Sequence, residues 1–166
     1  MGAAHHKRQA KICDPTLVAT PTVHFVCTGN IYRSRLAEAY FASRCSRGAR
    51  VFSSGIAAGA NGNAPISPFA ANELAKYGLT SFAAGSWQQT TEALVNACDV
   101  LVFMESEHYR FCENWINPAR QRIEVWGIKD IGPIAAEAIP EEVGRTFMFI
   151  RRRTDVLLSS LGLGLE

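Results

Sequence analysis

The sequence predicts an α/β fold: a three-layer sandwich in which a central parallel sheet of about four strands carries helices on both faces. Short runs of β-branched and aromatic residues alternate with longer helix-forming runs along the chain. One of the short runs, Val100-Leu101-Val102-Phe103, is apolar without interruption, as a strand covered on both faces requires. At 166 residues the chain is long enough for one domain with a substantial core.

Residues 1–20 mix Gly, Ala, His, Lys and Arg without sustained periodicity and are expected to form a flexible extension, which leaves 21–166 as the domain. His5 and His6 there read as solvated side chains. Thr22, Val23, Phe25, Val26 and Cys27 form the first strand. After a polar loop, a helix is expected from about Ser34 to Arg44, with Leu36, Ala39, Tyr40 and Ala42 as its buried stripe. Arg50–Ser54 is the second strand. Residues 57–68, rich in Gly, Ala, Asn and Pro, form a loop in which Asn61 and Asn63 suit turn conformations. Pro68–Tyr77 follows as a helix with Phe69, Ala70, Leu74 and Tyr77 on one face, closed by Gly78. A short helix over Thr90–Asn96 leads into the third strand, Asp99–Met104. The helix after it includes Tyr109–Trp115, ends at Asn117-Pro118, and carries His108 on its solvated side. Ile123–Trp126 is the fourth strand. A last helix starts at Ile139-Pro140-Glu141-Glu142, with proline early and two carboxylates at its positive end, and runs to about Ser160. Its core candidates are Val143, Phe147, Ile150, Val156, Leu157 and Leu161. Arg151, Arg152 and Arg153 read as a solvated helix face, and 161–166 should fray.

Composition narrows the function. A net charge of +2 is too weak to argue for nucleic acid. No apolar run approaches the ~20 residues that span a bilayer, and the first 20 residues are too polar for a signal peptide, so no membrane is expected and a cytoplasmic location is. Five cysteines, an odd number without CxxC spacing, indicate neither a disulfide framework nor a zinc site.

The chemistry is expected in the loop between the first strand and the first helix. A strand, a turn containing Gly29 and a helix start form an anion cradle, because the first backbone N–H groups of a helix lack intrahelical partners and face the positive end of its dipole. Cys27 sits at the mouth of that cradle, where N–H groups and a guanidinium favour its thiolate and make it a nucleophile. Arg33 offers a planar fork for two oxygens of a phosphoryl group. Thiolate, cradle and fork together specify attack on a phosphate ester.

The run Val-Cys-Thr-Gly-Asn-Ile-Tyr-Arg-Ser, with Leu36-Ala37-Glu38-Ala39 after it, resembles the signature loop of the low-molecular-weight protein tyrosine phosphatases, and the likeness continues over most of residues 22–130. The resemblance implies a phosphatase that forms a phosphocysteine on Cys27, with Arg33 and the N–H groups of Thr28, Gly29, Asn30, Ile31 and Tyr32 holding the phosphoryl oxygens. It implies that Ser34 donates to the departing sulfur, that Asn30 fixes the loop, and that Ser53 and Glu105 support it, Glu105 standing where an aspartate is usual. Asp130 matches the general acid, although Ile131 occupies the position of the proline that usually follows. No metal and no cofactor is implied. The expected ligands are a phosphate or sulfate ion in the loop and a phosphotyrosine-containing protein, to which Ile31 points by family preference.

The chain also departs from the pattern. Residues 57–64 hold no aromatic for a substrate ring, 79–87 hold no histidine to brace Asn30, and Tyr32 replaces the second cysteine of many relatives. Two alternatives therefore stay open: an arsenate reductase on the same scaffold, and a phosphate-binding pseudoenzyme or regulatory module.

Overall fold

A computed structural model describes residues 20–45, 48–60 and 65–163. The expected flexible extension therefore lies outside the described residues except for Thr20, as do Asn61 and Asn63. Four strands, β1 (Thr22–Cys27), β2 (Arg50–Gly55), β3 (Val100–Phe103) and β4 (Arg122–Val125), form one sheet in the order β2-β1-β3-β4. All pairings are parallel, so the three-layer expectation holds.

Alternation along β1 sends Val23, Phe25 and Cys27 to one face of the sheet and His24 and Val26 to the other. The first face carries the larger core, where Val23 and Phe25 meet Leu36 and Phe41 of α1 (Arg33–Arg44) and Phe147, Ile150 and Leu157 of α5 (Ile139–Ser160). The helix α2 (Pro68–Lys76) packs on the same side through Ala70 and Leu74, started by Ser67, whose hydroxyl accepts from the Ala70 N–H. The opposite face holds Val26, Leu101 and Phe103 against Val95 of α3 (Glu92–Asn96) and Cys112 of α4 (Ser106–Cys112).

Several expectations needed correction. Val156 is 68% exposed and Thr154 takes the buried place instead, because the stripe steps 143, 147, 150, 154, 157 around the helix. Tyr77 is half exposed, its ring edge against Phe147. Arg151 is not free in solvent: its guanidinium lies over the rings of Tyr40, Tyr77 and Phe147. Residues 161–163 do not fray. Gly162 takes a positive φ of 67°, its N–H reaches the Ser159 carbonyl and the Leu163 N–H the Leu158 carbonyl, which ties the end of α5, and Leu163 is buried.

The register positions the site. Cys27 lies opposite Gly55, and Val26 opposite Phe103, which lies opposite Val125. Chain segments leaving β1, β2, β3 and β4 therefore emerge at one edge of the sheet. Among the described residues, no helix is long and apolar enough to cross a membrane.

Candidate active site

Residues 28–32 form a loop from the end of β1 to the start of α1. Asn30 adopts a φ of 53°, a left-handed conformation that asparagine tolerates better than most residues. The carbonyls of Cys27, Thr28, Ile31 and Tyr32 accept from the N–H groups of Ile56, Ala57, Ser67 and Leu36. Each peptide is trans, so the N–H groups of Thr28, Gly29, Tyr32 and Arg33 point away from those partners. Tyr32 provides no side-chain cap for α1, and the helix start keeps its donors for an anion. The loop rests directly on β2: a Cβ at Gly55 would stand 2.5 Å from Thr28 O and 2.6 Å from Asn30 N.

Beneath the loop runs a hydrogen-bond chain whose direction is fixed on both sides of Asn30. The buried carboxylate of Glu38 accepts from Ser53 Oγ at 2.5 Å. With its proton so committed, Ser53 Oγ accepts from Asn30 Nδ2 at 2.8 Å, and the same amide donates to Ser34 Oγ at 2.9 Å. Ser34 Oγ lies 2.9 Å from Cys27 Sγ, so its hydrogen, not used toward Asn30, is the donor to the sulfur whenever Cys27 is a thiolate. The Asn30 N–H adds a second donor to the sulfur at 3.3 Å. Asn30 Oδ1 accepts from the Gln88 N–H at 2.9 Å, which fixes the orientation of the amide. Burial pushes the Glu38 carboxyl up, while the Ser53 hydroxyl and Arg35 draw it back toward the charged form.

Arg33 is 1% exposed and uses both ends of its fork. Nη1 donates to Glu105 Oε2 at 2.6 Å and to the Ile128 carbonyl at 2.8 Å. Nη2 donates to Thr28 Oγ1 and to Asp130 Oδ2, each at 3.2 Å. Thr28 Oγ1 in turn lies 2.9 Å from His108 Nε2.

The structure thus gathers Cys27, Thr28, Gly29, Asn30, Ile31, Arg33, Ser34, Ser53, Glu105 and Asp130, from four segments of the sequence. Tyr32 joins through its backbone only; its ring is buried edge-on to Phe69, and burial raises its hydroxyl to about 12. The expectation of a solvated His108 is overturned. The residue is buried, and burial together with the nearby Arg33 charge lowers its pKa to about 4. Sequence reasoning missed Gln88, whose backbone N–H braces Asn30 where a histidine was sought; a main-chain donor leaves no signature in residue type. It also missed Arg35, which holds the Pro65 and Ala84 carbonyls from the first turn of α1. Ligand atoms of Glu105, Glu107 and His108 lie within 4.8 Å of one another, but Arg33 occupies Glu105 Oε2 and the Glu105 N–H occupies His108 Nδ1, a poor set for a cation.

The family model for low molecular weight phosphotyrosine protein phosphatase matches residues 22–131. No curated protein sequence matches the chain. Among solved structures, a low molecular weight protein tyrosine phosphatase from Streptococcus pyogenes is similar at 26% identity and a TM-score of 0.69, covering 85% of this chain and 93% of that one. Vibrio vulnificus Wzb in complex with benzylphosphonate is similar at 24% identity and a TM-score of 0.68, covering 86% and 99%. The tyrosine phosphatase Wzb from Escherichia coli K30 in complex with sulphate gives 22% identity and a TM-score of 0.64, covering 83% and 99%.

Proposed function

The chain belongs to the low molecular weight phosphotyrosine protein phosphatase family, and from that premise we propose that it hydrolyses phosphotyrosine in protein substrates through a phosphocysteine on Cys27. The observation that carries this reading is the hydrogen-bonded chain from Glu38 through Ser53, Asn30 and Ser34, which ends with the Ser34 hydroxyl 2.9 Å from Cys27 Sγ. The Ser34 hydroxyl and the Asn30 N–H both approach the sulfur, an arrangement that suits a nucleophilic thiolate and, later, a departing sulfur.

In the first step the Cys27 thiolate attacks phosphorus in line, the P–O bond to the leaving group breaks, and Asp130 protonates the departing oxygen. The loop amides of residues 28–33 and the Arg33 fork hold the equatorial oxygens. In the second step water attacks the phosphocysteine, Asp130 takes its proton, and the P–S bond breaks while Ser34 donates to the leaving sulfur. Inorganic phosphate is the second product, and a phosphate or sulfate ion is the expected ligand of the loop. Glu105 and Ser53 support the fork and the loop. Ile31 favours phosphotyrosine by the family preference noted above. The free thiols of Cys27, Cys45, Cys98 and Cys112 fit a reducing compartment, and on that support we place the enzyme in the cytoplasm.

The arsenate-reductase alternative needs resolving cysteines in the chain or a small thiol, and thiol-dependent release of arsenite would favour it. Cys98 and Cys112 are buried in the core on the opposite face of the sheet, with thiols raised to about 12 by burial, and neither suits that role. Hydrolysis of p-nitrophenyl phosphate, abolished by Cys27→Ser, with a phosphate adduct on Cys27 in rapidly quenched wild type, tests the mechanism. A panel of phosphotyrosine, phosphoserine and phosphoarginine peptides tests the substrate; phosphate binding without turnover would leave a binding module instead.

A further inference from the structure

His108 lies outside the machinery described so far, yet it is wholly buried at the third position of α4 and touches the phosphate loop. Its Nδ1 is 2.9 Å from the Glu105 N–H, a group that can only donate, so Nδ1 is the acceptor nitrogen. The ring hydrogen of the neutral imidazole is therefore on Nε2. Nε2 lies 2.9 Å from Thr28 Oγ1 and 3.4 Å from Glu107 Oε1; the carboxylate, itself an acceptor, favours the same tautomer.

Thr28 Oγ1 thus accepts from His108, and it accepts a second time from Arg33 Nη2 at 3.2 Å. A hydroxyl has two lone pairs and one hydrogen. With both lone pairs engaged on the Arg33 and His108 side, its hydrogen is directed away from them, and Thr28 is partly exposed at the mouth of the loop. We propose that His108 is a positioning residue that turns Thr28 into a fixed hydroxyl donor for a phosphoryl oxygen, in addition to the loop amides and Arg33. The proposal rests on the phosphatase reading for its consequence in turnover, but not for its consequence in anion binding. Without the His108 donor a lone pair of Thr28 is freed, and the hydroxyl is no longer held with its hydrogen toward the ligand.

The bland reading is that His108 only caps α4 by accepting from the Glu105 N–H. Two substitutions separate the readings. In His108→Asn the side-chain oxygen can replace Nδ1 as the cap acceptor, but no donor reaches Thr28. In His108→Gln the amide oxygen and nitrogen are spaced like the two ring nitrogens and supply both acceptor and donor. Inorganic phosphate is the probe, titrated calorimetrically into the full chain and used as a competitive inhibitor. The expected result is about tenfold weaker phosphate binding and about tenfold lower kcat/KM in His108→Asn, the size of one hydrogen bond to a charged group. His108→Gln returns both to within about threefold of wild type. Thr28→Val, which removes the hydroxyl without disturbing α4, shows the same loss, and the double variant Thr28→Val/His108→Asn loses no more than either single one. Unchanged phosphate binding in Thr28→Val, additive losses in the double variant, or equal losses in the Asn and Gln variants would overturn the proposal. Wild-type protein that binds phosphate but does not turn over would defeat the phosphatase reading and leave the calorimetric test of His108 intact.

Discussion

Asp130 Oδ2 lies 3.2 Å from Arg33 Nη2, so the acid of the proposed reaction and the fork that receives its substrate are in contact before any phosphate arrives. Glu105 holds the other end of the same guanidinium at 2.6 Å and keeps it in place if Asp130 moves. The Asp130 side chain is 57% exposed, and its Oδ1 accepts from the Ile131 N–H at 2.9 Å, so the carboxylate stands on the solvent-facing side of the fork. In the proposed reaction this carboxyl group supplies the proton that the departing oxygen takes. Asp130→Asn is therefore expected to lower kcat about a hundredfold for phenyl phosphate, whose leaving group needs the proton, and far less for p-nitrophenyl phosphate. Phosphate affinity should hold or rise, because a competing negative charge is gone. Steady-state kinetics on the two esters checks this; equal losses on both would remove Asp130 from the acid role.

Gly55 offers a separate test of loop geometry. A methyl group there meets the Thr28 carbonyl, the Asn30 nitrogen and the Gly29 carbonyl carbon, the last at 2.8 Å, and all three are backbone atoms that yield only if the loop shifts. Gly55→Ala is expected to fold, because the strand itself tolerates alanine, and to lose about a hundredfold in kcat/KM through a displacement of ångström size in the cradle. Circular dichroism alongside kinetics distinguishes a moved loop from an unfolded chain. A variant with wild-type kcat/KM would show that the loop does not depend on that close approach.

Acid should weaken the fold through two histidines. Burial lowers His24 from 6.5 to about 3 and His108 to about 4. Both shifts are downward, so between the folded values and 6.5 the unfolded chain binds more protons and stability falls as pH falls. Going from pH 7 to pH 5, the two together should cost roughly 4 kcal/mol. Urea unfolding at the two pH values measures it, and His108→Gln should recover about half of the loss. An identical loss in that variant would mean that His108 is not the titrating group.

The strands were legible because a sheet covered on both faces leaves little choice of residue: Val100-Leu101-Val102-Phe103 reads as β3 without any knowledge of its neighbours. The loop was legible because Cys27, Gly29, Asn30 and Arg33 lie within seven consecutive residues. What joins the loop to its supports was not. Arg33 meets Glu105 72 residues on and Asp130 97 residues on, and only a family likeness pointed to either. His108 was misread because the start of a short helix commonly faces water, and nothing local tells that this one lies on Thr28. Val156 was misread because a stripe extrapolated along a 22-residue helix drifts by a residue unless packing is known.

Tyr32 sets how the enzyme should respond to oxidant. Its ring is packed into the core against Phe69, in the position where many relatives carry a second cysteine. The described thiols are remote: Cys98 precedes the start of β3 while Cys27 ends β1, with the length of the sheet between them; Cys112 lies in α4 on the other face; and Cys45 follows the far end of the 12-residue α1. A sulfenic acid formed on Cys27 then has no described thiol within the span of a disulfide, and further peroxide carries it to the sulfinic acid, which dithiothreitol does not reduce. Progressive peroxide treatment is expected to inactivate the enzyme with poor recovery in dithiothreitol, and the Cys27 peptide should gain two oxygens by mass spectrometry. Tyr32→Cys should introduce recovery, because it places a thiol five residues from Cys27 within the same loop. Full recovery of the wild type, with a disulfide mapped to Cys27, would show that another thiol reaches it.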